Sequence, residues 1–294
     1  MKSGFVSIIG RPNVGKSTLL NTLVNAKVAI TSDKAQTTRN IIQGIYNEED
    51  TQIVFVDTPG IHKPQSRLGK ILNKQALSLI HDVDAILFLA DASISLGKGD
   101  QFILECLKNS SVPVILVLNK IDKIKNEEIL GVIENYKDLY PFADIVPVSA
   151  IKNDNLDCLV KVIKKYLKDD VKYFDDDTIT SNSTYFMISE IVREKLLNLT
   201  IEEVPHCVTC VTTYYEEKEK VTLIGVEIIV ERDSIKKIVI GKNGERLKTI
   251  GSLARKDIEK LLGKRVYLDL YVKTIKKWRE KEKVLHELGF NENE

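Results

Sequence analysis

Cysteine is sparse in this chain: four in 294 residues, at positions 106, 158, 207 and 210. So few and so scattered, they exclude a disulfide scaffold and suit a reducing compartment. Cys207 and Cys210 share C-x-x-C spacing. No second pair completes a zinc set, and the surrounding "HCVTCVTTYY" is rich in β-formers, where residues three apart face opposite sides of a strand. These cysteines read as structural. Long apolar runs are missing as well. Ala85–Ala90 and Val112–Leu118 are of strand length, far short of a membrane span. The opening "MKSGFVSIIG" carries no apolar core of a secretory signal, so a soluble, cytoplasmic protein is expected. A charge excess is also lacking: 43 Lys and Arg meet 42 Asp and Glu, a formal net of +1. That excludes a chain-wide electrostatic pull on nucleic acid. The average hides one asymmetry. Residues 234–283 hold 16 Lys and Arg against 6 Asp and Glu, a local +10, which phosphates would favour and which a solvated helix face would also show.

What the first half has in quantity is alternation. Short apolar runs, "FVSII" (5–9), "QIVFVD" (52–57), "AILFLAD" (85–91), "VPVILVL" (112–118) and "ADIVPVS" (143–149), recur with helical stretches such as 16–25, 69–81 and 100–108 between them. Continuous apolar strands separated by helices predict an α/β domain with a mostly parallel six-stranded sheet covered on both faces. "IIQGIYN" (41–47) meets "QIVFVD" across an acidic turn, which predicts one antiparallel pair. Ligands of such sheets bind beyond the carboxyl ends of the strands.

The sequence motifs fall at those ends. Gly10-Arg-Pro-Asn-Val-Gly15-Lys16-Ser17 fits G-x-x-x-x-G-K-[ST] between a predicted strand and a predicted helix, the context that pattern needs. Gly10, Asn13, Val14, Gly15, Lys16, Ser17 and Thr18 are the candidate phosphate contacts: backbone N–H groups close around oxygens at a helix N-terminus, Lys16 reaches the β- and γ-phosphates, and the Ser17 hydroxyl serves Mg²⁺. In "VDTPG", Asp57 is placed to hold Mg²⁺ and Gly60 to offer its N–H to the γ-phosphate, with Thr58 and Pro59 forming the turn; alone, this would read as a Pro-Gly turn. "NKID" supplies the choice of base. The Asp122 carboxylate only accepts hydrogen bonds, which suits the adjacent N1–H and N2–H₂ donors of guanine and not adenine. Asn119 would support the loop, the Lys120 stem would lie over the ring, and in "VSAIK" Ser149 and Ala150 end the last strand, the Ala150 N–H within reach of guanine O6. In order, these stretches resemble the G motifs of the translation-factor-related GTPases. That resemblance adds Thr38 of "AQTTRN" as the third Mg²⁺ group, sensing the γ-phosphate as the first switch, and makes Lys16, Thr38 and Gly60 the residues of catalysis. Ile61 departs from the pattern, standing where Ras-like proteins have a water-orienting Gln; aliphatic carbon cannot orient water, so slow unaided hydrolysis is expected. A partner would complete the site, or a K⁺ ion near Asn13, which resembles the K⁺-liganding Asn of potassium-activated GTPases. Arg39 reads as a solvent-exposed switch arginine, or else as a charge stabiliser.

Helical signal ends near residue 168, and "DDVKYFDDDTITSNST" (169–184) offers little that could pack. Beyond it come a helix (186–199), two strands around a charged turn (206–231), a short helix, "GKNG", a second helix (245–262) and "RVYLDLYV" (265–272). Strands and helices without βαβ alternation predict a small α+β domain. Gly241-Lys242-Asn243-Gly244 lacks the G-K-[ST] ending and joins two helices, the place of the G-x-x-G clamp of KH domains, which holds about four single-stranded nucleotides. Lys236, Lys237, Lys242, Arg246 and Lys248 would neutralise phosphates around Gly241, Asn243 and Gly244; a capped turn between helices is the plainer reading of four such residues. "IKKWREKEKVLHELGF" (275–290) predicts a closing amphipathic helix with Trp278 in the core.

A GTPase domain with these motifs followed by a G-x-x-G KH domain resembles the bacterial Era family, as does "IVREKLLNLTIEEVPH" (191–206), and the likeness runs the length of the chain. The expected division is a GTPase domain at 1–170, a linker at 171–184 and a type II KH domain with C-terminal helix at 185–294. The resemblance implies a monomeric GTP/GDP switch with Mg²⁺, and with K⁺ as activator. It also implies binding to the 3′ end of 16S ribosomal RNA, a role in assembly of the 30S subunit, and peripheral contact with the inner membrane. Two other readings stay open: a phosphotransferase, against which "NKID" argues, and an RNA-binding assembly factor with a nearly silent nucleotide site.

Overall fold

The computed structural model describes residues 1–34, 37–61, 64, 66–108 and 110–291. The first sheet is formed by β1 (Lys2–Gly10), β2 (Ile42–Glu48), β3 (Thr51–Asp57), β4 (Ala85–Asp91), β5 (Val114–Asn119) and β6 (Asp144–Pro147), in the order β2-β3-β1-β4-β5-β6. All neighbours run parallel except β2 and β3, the expected antiparallel pair. Between the strands lie α1 (Lys16–Leu23), α2 (Arg67–Ser78), α3 (Lys98–Leu107), α4 (Asn126–Lys137) and α5 (Leu156–Ile163). Alternate residues feed two cores. Val6, Ile8, Leu87 and Val117 pack with Leu19 and Leu159 of α1 and α5, while Ile9, Phe88 and Leu116 pack with Ala76, Ile103 and Tyr136 on the opposite face. β1, β4 and β5 are therefore apolar on both sides, as their composition required.

The second unit opens with α6 (Thr184–Leu199), capped by the Ser183 hydroxyl accepting from Phe186 N. It continues through β7 (Val208–Glu217), β8 (Thr222–Val230), α7 (Asp233–Ile240), α8 (Glu245–Leu262) and β9 (Val266–Thr274). The sheet order is β7-β8-β9, with β7–β8 antiparallel and β8–β9 parallel. Ile224, Val226, Ile228 and Val230 point from β8 into a core shared with Ile188 and Val192 of α6 and Ile250 and Ile258 of α8. Cys207 and Cys210 are buried in that core. This α-β-β-α-α-β order is the predicted KH arrangement.

Two expectations are corrected. Residues 275–290 form no continuous helix. Lys277 takes a left-handed conformation, Trp278–Glu280 make one tight turn, and only α9 (Glu282–Glu287) is helical. The cause is tertiary: Trp278 is fully buried and donates its Nε1–H to Cys207 O at 3.1 Å, a gain the helical path would forfeit. The segment 169–184 also packs more than its composition suggested. Gln52 Oε1 accepts from the N–H groups of Tyr173 and Phe174, Ile45 N donates to Ile179 O at 2.8 Å, and Thr180 Oγ1 donates to Gln43 O at 2.6 Å. The bonds to Ile45 and Gln43 cover the free edge of β2, which would otherwise present unpaired backbone groups. Across the units, Leu68, Ile71 and Leu72 of α2 pack on Ile229, Trp278 and Leu285.

Candidate nucleotide site and nucleic-acid interface

The loop from β1 to α1 turns through two left-handed residues, Asn13 at φ 66° and Gly15 at φ 104°. A Cβ at Gly15 would stand 2.3 Å from Asn119 Nδ2, so only glycine fits this close approach. Asn119 fastens the phosphate loop to the base-recognition loop: its Nδ2 donates to Val14 O at 2.9 Å, and its Oδ1 accepts from Ala150 N at 3.0 Å. That Ala150 N–H, expected at guanine O6, is thus directed at Asn119. Lys120 Nζ donates to Asn13 O at 2.7 Å and pairs with Asp91 at 2.6 Å, and Ser149 Oγ donates to Asp122 Oδ1 at 2.5 Å. All five base-end candidates are therefore held in place by hydrogen bonds at the carboxyl ends of β5 and β6. Thr18 lines the cleft at the start of α1, together with Asn13, Gly15, Gly60 and Lys120.

Lys16 is nearly buried and donates from Nζ to Gly10 O at 3.2 Å and Arg11 O at 3.0 Å. Burial lowers its pKa, while Asp57 pulls the other way. Three oxygens meet beside it. Ser17 Oγ donates to Asp57 Oδ2 at 2.7 Å and lies 2.9 Å from Thr38 Oγ1, which is 3.4 Å from the same carboxylate oxygen. Residues 17, 38 and 57 are the predicted Mg²⁺ trio, contributed by α1, the first switch and the end of β3. Burial pushes the Asp57 carboxyl up to about 6, opposed by Lys16 and the two hydroxyls. Its Oδ1 is buried with no hydrogen-bond partner among the described residues. A hard divalent cation fits this set of oxygens, because it would supply the charge and the partner that the carboxylate lacks. Thr58 Oγ1 donates to Ile8 O at 3.0 Å, holding the turn against β1. Pro59 is buried, and Gly60 sits so close to the phosphate loop that a Cβ would stand 2.9 Å from Pro12 N. Ile61 turns away, 1% exposed, into the core with Ile9, Ala76 and Phe88.

The first switch gives the main surprise. Ala35 and Gln36 of "AQTTRN" lie outside the described residues, but Arg39 is neither exposed nor aimed at the phosphates. It is 1% exposed, donates from Nη1 to Val208 O at 2.5 Å and from Nη2 to Pro205 O at 2.9 Å, and lies 6.0 Å from the centre of the Trp278 ring. Burial, then the nearby Arg193, lowers its pKa to about 9, still cationic at neutral pH. Arg193 of α6, paired with Glu190 at 2.6 Å, donates to Thr37 O. Glu194 accepts from Thr31 N at 3.2 Å and pairs with Lys27 at 2.6 Å. The segment carrying Thr38 is therefore clasped by the second unit. Sequence reasoning missed Arg193, Glu194 and the cleft-lining Ile30, Thr31, Ser32 and Asp33, because none carries a motif.

In the second unit, Gly241 at φ 75°, Asn243 at φ 52° and Gly244 at φ 78° lift the "GKNG" turn out between α7 and α8. Lys237, Lys242, Arg246 and Lys248 are exposed around it and Lys236 is half-buried; Arg246 Nη1 donates to Ile238 O at 2.6 Å. A groove beside the turn is lined by Gly244, Leu247, Lys248 and Gly251 of the α8 side and by Tyr267 and Leu270 of β9. Glycine at 251 lets α8 approach the strand: a Cβ there would stand 3.3 Å from Leu270 Cδ1. Arg255, Tyr267 and Leu270 went unread in the sequence, since only the fold brings α8 beside β9.

Fold and site together define a P-loop GTPase domain joined to a KH domain. Two family descriptions agree with that division: "50S ribosome-binding GTPase" matches residues 5–120, and "KH domain" matches residues 203–279. Among solved structures, a point variant of Aquifex aeolicus Era bound to GDP·AlF4⁻ is 42% identical, with a TM-score of 0.95 and coverage of 99% of each chain. Era in complex with MgGDPNP and nucleotides 1506–1542 of 16S ribosomal RNA matches at 42% identity, TM-score 0.94, again over 99% of each chain. The chain belongs to the Era family of GTPases.

Proposed function

We propose that this protein is a GTP-hydrolysing switch that binds single-stranded RNA at the 3′ end of 16S ribosomal RNA and assists assembly of the 30S subunit. The observation that carries the switch is the position of two adjacent residues. Thr38 shares the Asp57 carboxylate oxygen with Ser17, and Arg39 is buried against Pro205 and Val208 at the entry to the KH domain. A change at one residue is felt at the next. The target is supported by the 42% identical relative that holds that RNA.

In this reading Asp122 accepts from guanine while Ser149 and Asn119 fix the loop. Lys16 moves from the carbonyls of Gly10 and Arg11 onto the β- and γ-phosphates, and Gly60 offers its N–H to the γ-phosphate. Ser17, Thr38 and Asp57 would hold a Mg²⁺ ion, which would supply positive charge where the phosphates develop negative charge. Because Ile61 faces the core, that residue cannot orient water. K⁺ beside Asn13, or bound RNA or ribosome, completes the site. Asn13 Nδ2 donates to Asp33 O at 2.8 Å, so its other amide atom, Oδ1, is the one that would face a cation. Lys236, Lys237, Gly241, Lys242, Asn243, Gly244, Arg246 and Lys248 hold the RNA backbone. The protein works as a cytoplasmic monomer with peripheral contact to the inner membrane; among the described residues no helix is long and apolar enough to cross one.

Ultraviolet crosslinking to total cellular RNA, with the protein loaded with a GTP analogue or with GDP, tests the central reading. A peak at the 16S 3′ end, stronger with the analogue, is expected. A diffuse pattern indifferent to nucleotide would remove both the target and the switch, since a ligand without differential binding shifts no equilibrium. Hydrolysis measured in K⁺ against Na⁺ tests the cation.

A further inference from the structure

The face of the second sheet that turns away from α6 and α8 carries three tyrosines with no part in the nucleotide switch. Tyr267 and Tyr271 are 61% and 62% exposed, and Tyr214 is 42% exposed. Clustered rings this open forgo the stabilisation that burial would give them. The chain nevertheless makes room for them. Gly225 lies under Tyr214, where a Cβ would stand 2.1 Å from the ring. The β7–β8 register slips between Thr212 and Tyr214, the kind of bulge that re-aims a side chain. Gly225 pairs with both Tyr214 and Asp269, while Leu223 and Glu227, two residues to either side, pair with Tyr267 and Tyr271. With side chains alternating along a strand, the three rings share one stretch of one face, the outer two about 13 Å apart for four residues at roughly 3.3 Å each. Lys236 Nζ stands 5.7 Å from the centre of the Tyr271 ring.

The neighbourhood decides what would lie on this face. Tyr267 also lines the groove beside "GKNG", so the rings continue that groove over the edge of the sheet. Residues 234–283 carry the local +10. On the face itself Lys273 is paired with Glu227 at 3.3 Å, and Asp269 adds a negative charge. The face therefore offers ring surfaces to bases more than a field to phosphates. We propose that single-stranded RNA leaving the groove crosses β9 at Tyr267 and stacks its next bases on Tyr267, Tyr214 and Tyr271, lengthening the site beyond the clamped nucleotides. This rests on the RNA reading of the groove.

The test uses the full-length protein with a GTP analogue and fluorescent oligoribonucleotides tiled over the 16S 3′ end. The best fragment of about four nucleotides, the length a G-x-x-G loop clamps, is compared with versions lengthened to about ten at either end. The longer RNA is expected to bind tighter. Tyr271→Ala removes about tenfold or more of that gain, as loss of one stacking ring does, and leaves the short RNA unaffected, while Tyr271→Phe restores the gain. The gain also changes little with salt, unlike clamping of the backbone. A gain that is absent, or that survives both Tyr271→Ala and Tyr214→Ala in variants with unchanged melting, overturns the proposal and leaves the groove reading intact. If neither length binds the unaltered protein, the RNA reading fails and the extension falls with it.

Discussion

The two glycine-rich loops use the same residue types for opposite ends. In the first, Gly15 is hemmed by Asn119, Lys16 is folded back onto the carbonyls of Gly10 and Arg11, and Arg11 is tied to the buried Asp100 at 3.0 Å. In the second, a Cβ on Gly244 would meet nothing within 4 Å, and Lys242 projects into solvent. Positive φ is common to both; in the second, Gly241 is hemmed by Arg246 but the tip at Gly244 is open. A loop walled on every side suits one bounded ligand recognised at each end, whereas an open turn beside a groove suits a polymer that enters and leaves. Glycine allows the close approach in both places, and the surroundings decide what approaches.

The sharpest way to break this comparison is at the base. Asp122→Asn replaces a pure acceptor with an amide that cannot take both guanine donors. GTP affinity should fall by about 10⁴-fold, with xanthosine triphosphate competing better than GTP. If GTP binding persists in that competition assay, the enclosed site does not read the base through Asp122. No single substitution at "GKNG" should approach this effect.

Next in size is the clasp between the units. Arg39→Met leaves the carbonyls of Pro205 and Val208 without their donors in a buried place, a cost of about 3 kcal/mol, read as a lower melting temperature. The more informative readout is the ratio of RNA affinities with GTP analogue and GDP. It should collapse towards one while GTP binding is kept, because Thr38 remains and only its link to the KH domain is cut. An unchanged ratio would show that the switch reaches the RNA site by another path.

Why Arg39 escaped a sequence reading is physical. The parallel sheet, its antiparallel edge and the places of Ser17 and Asp57 were legible because periodicity and the G motifs are local in sequence, whereas Thr38 joined them only through the family resemblance. Arg39 looks like any polar loop residue until Pro205, Val208 and Trp278, more than 160 positions away, close over it. Arg193 and Glu194 were hidden similarly inside an ordinary helix. Helix periodicity at 275–290 misled for the same reason: spacing reports what a helix could bury, and Trp278 found a better burial outside one. "GKNG" was legible as a turn, but its groove depends on α8 lying along β9.

Third comes glycine replaced by alanine in each loop. Gly15→Ala meets both a left-handed φ and Asn119 Nδ2 at 2.3 Å, so it should cost about 1–3 kcal/mol of stability and abolish nucleotide binding by prying the loop from Asn119. Gly244→Ala meets the φ alone and should cost about 1 kcal/mol, with GTP binding untouched. Equal losses in thermal unfolding would mean that enclosure does not distinguish the loops.

The smallest effect is the most diagnostic of an open site. Lys242→Ala should weaken RNA binding only a few-fold at physiological salt, because one phosphate contact is lost among several. Its signature lies in the slope of log affinity against log salt, which should become shallower by about 0.7 for one single-strand contact. Lys248→Ala should do the same, and the pair should add, since the two side chains face solvent from different turns and share no partner. Replacing Lys16 offers no such graded result: its amine is nearly buried, and losing it removes the ligand's charge partner altogether. An Lys242→Ala variant with unchanged slope but lost affinity would mean that the turn is an enclosed pocket after all, and the distinction between the two loops would then rest on sequence pattern alone.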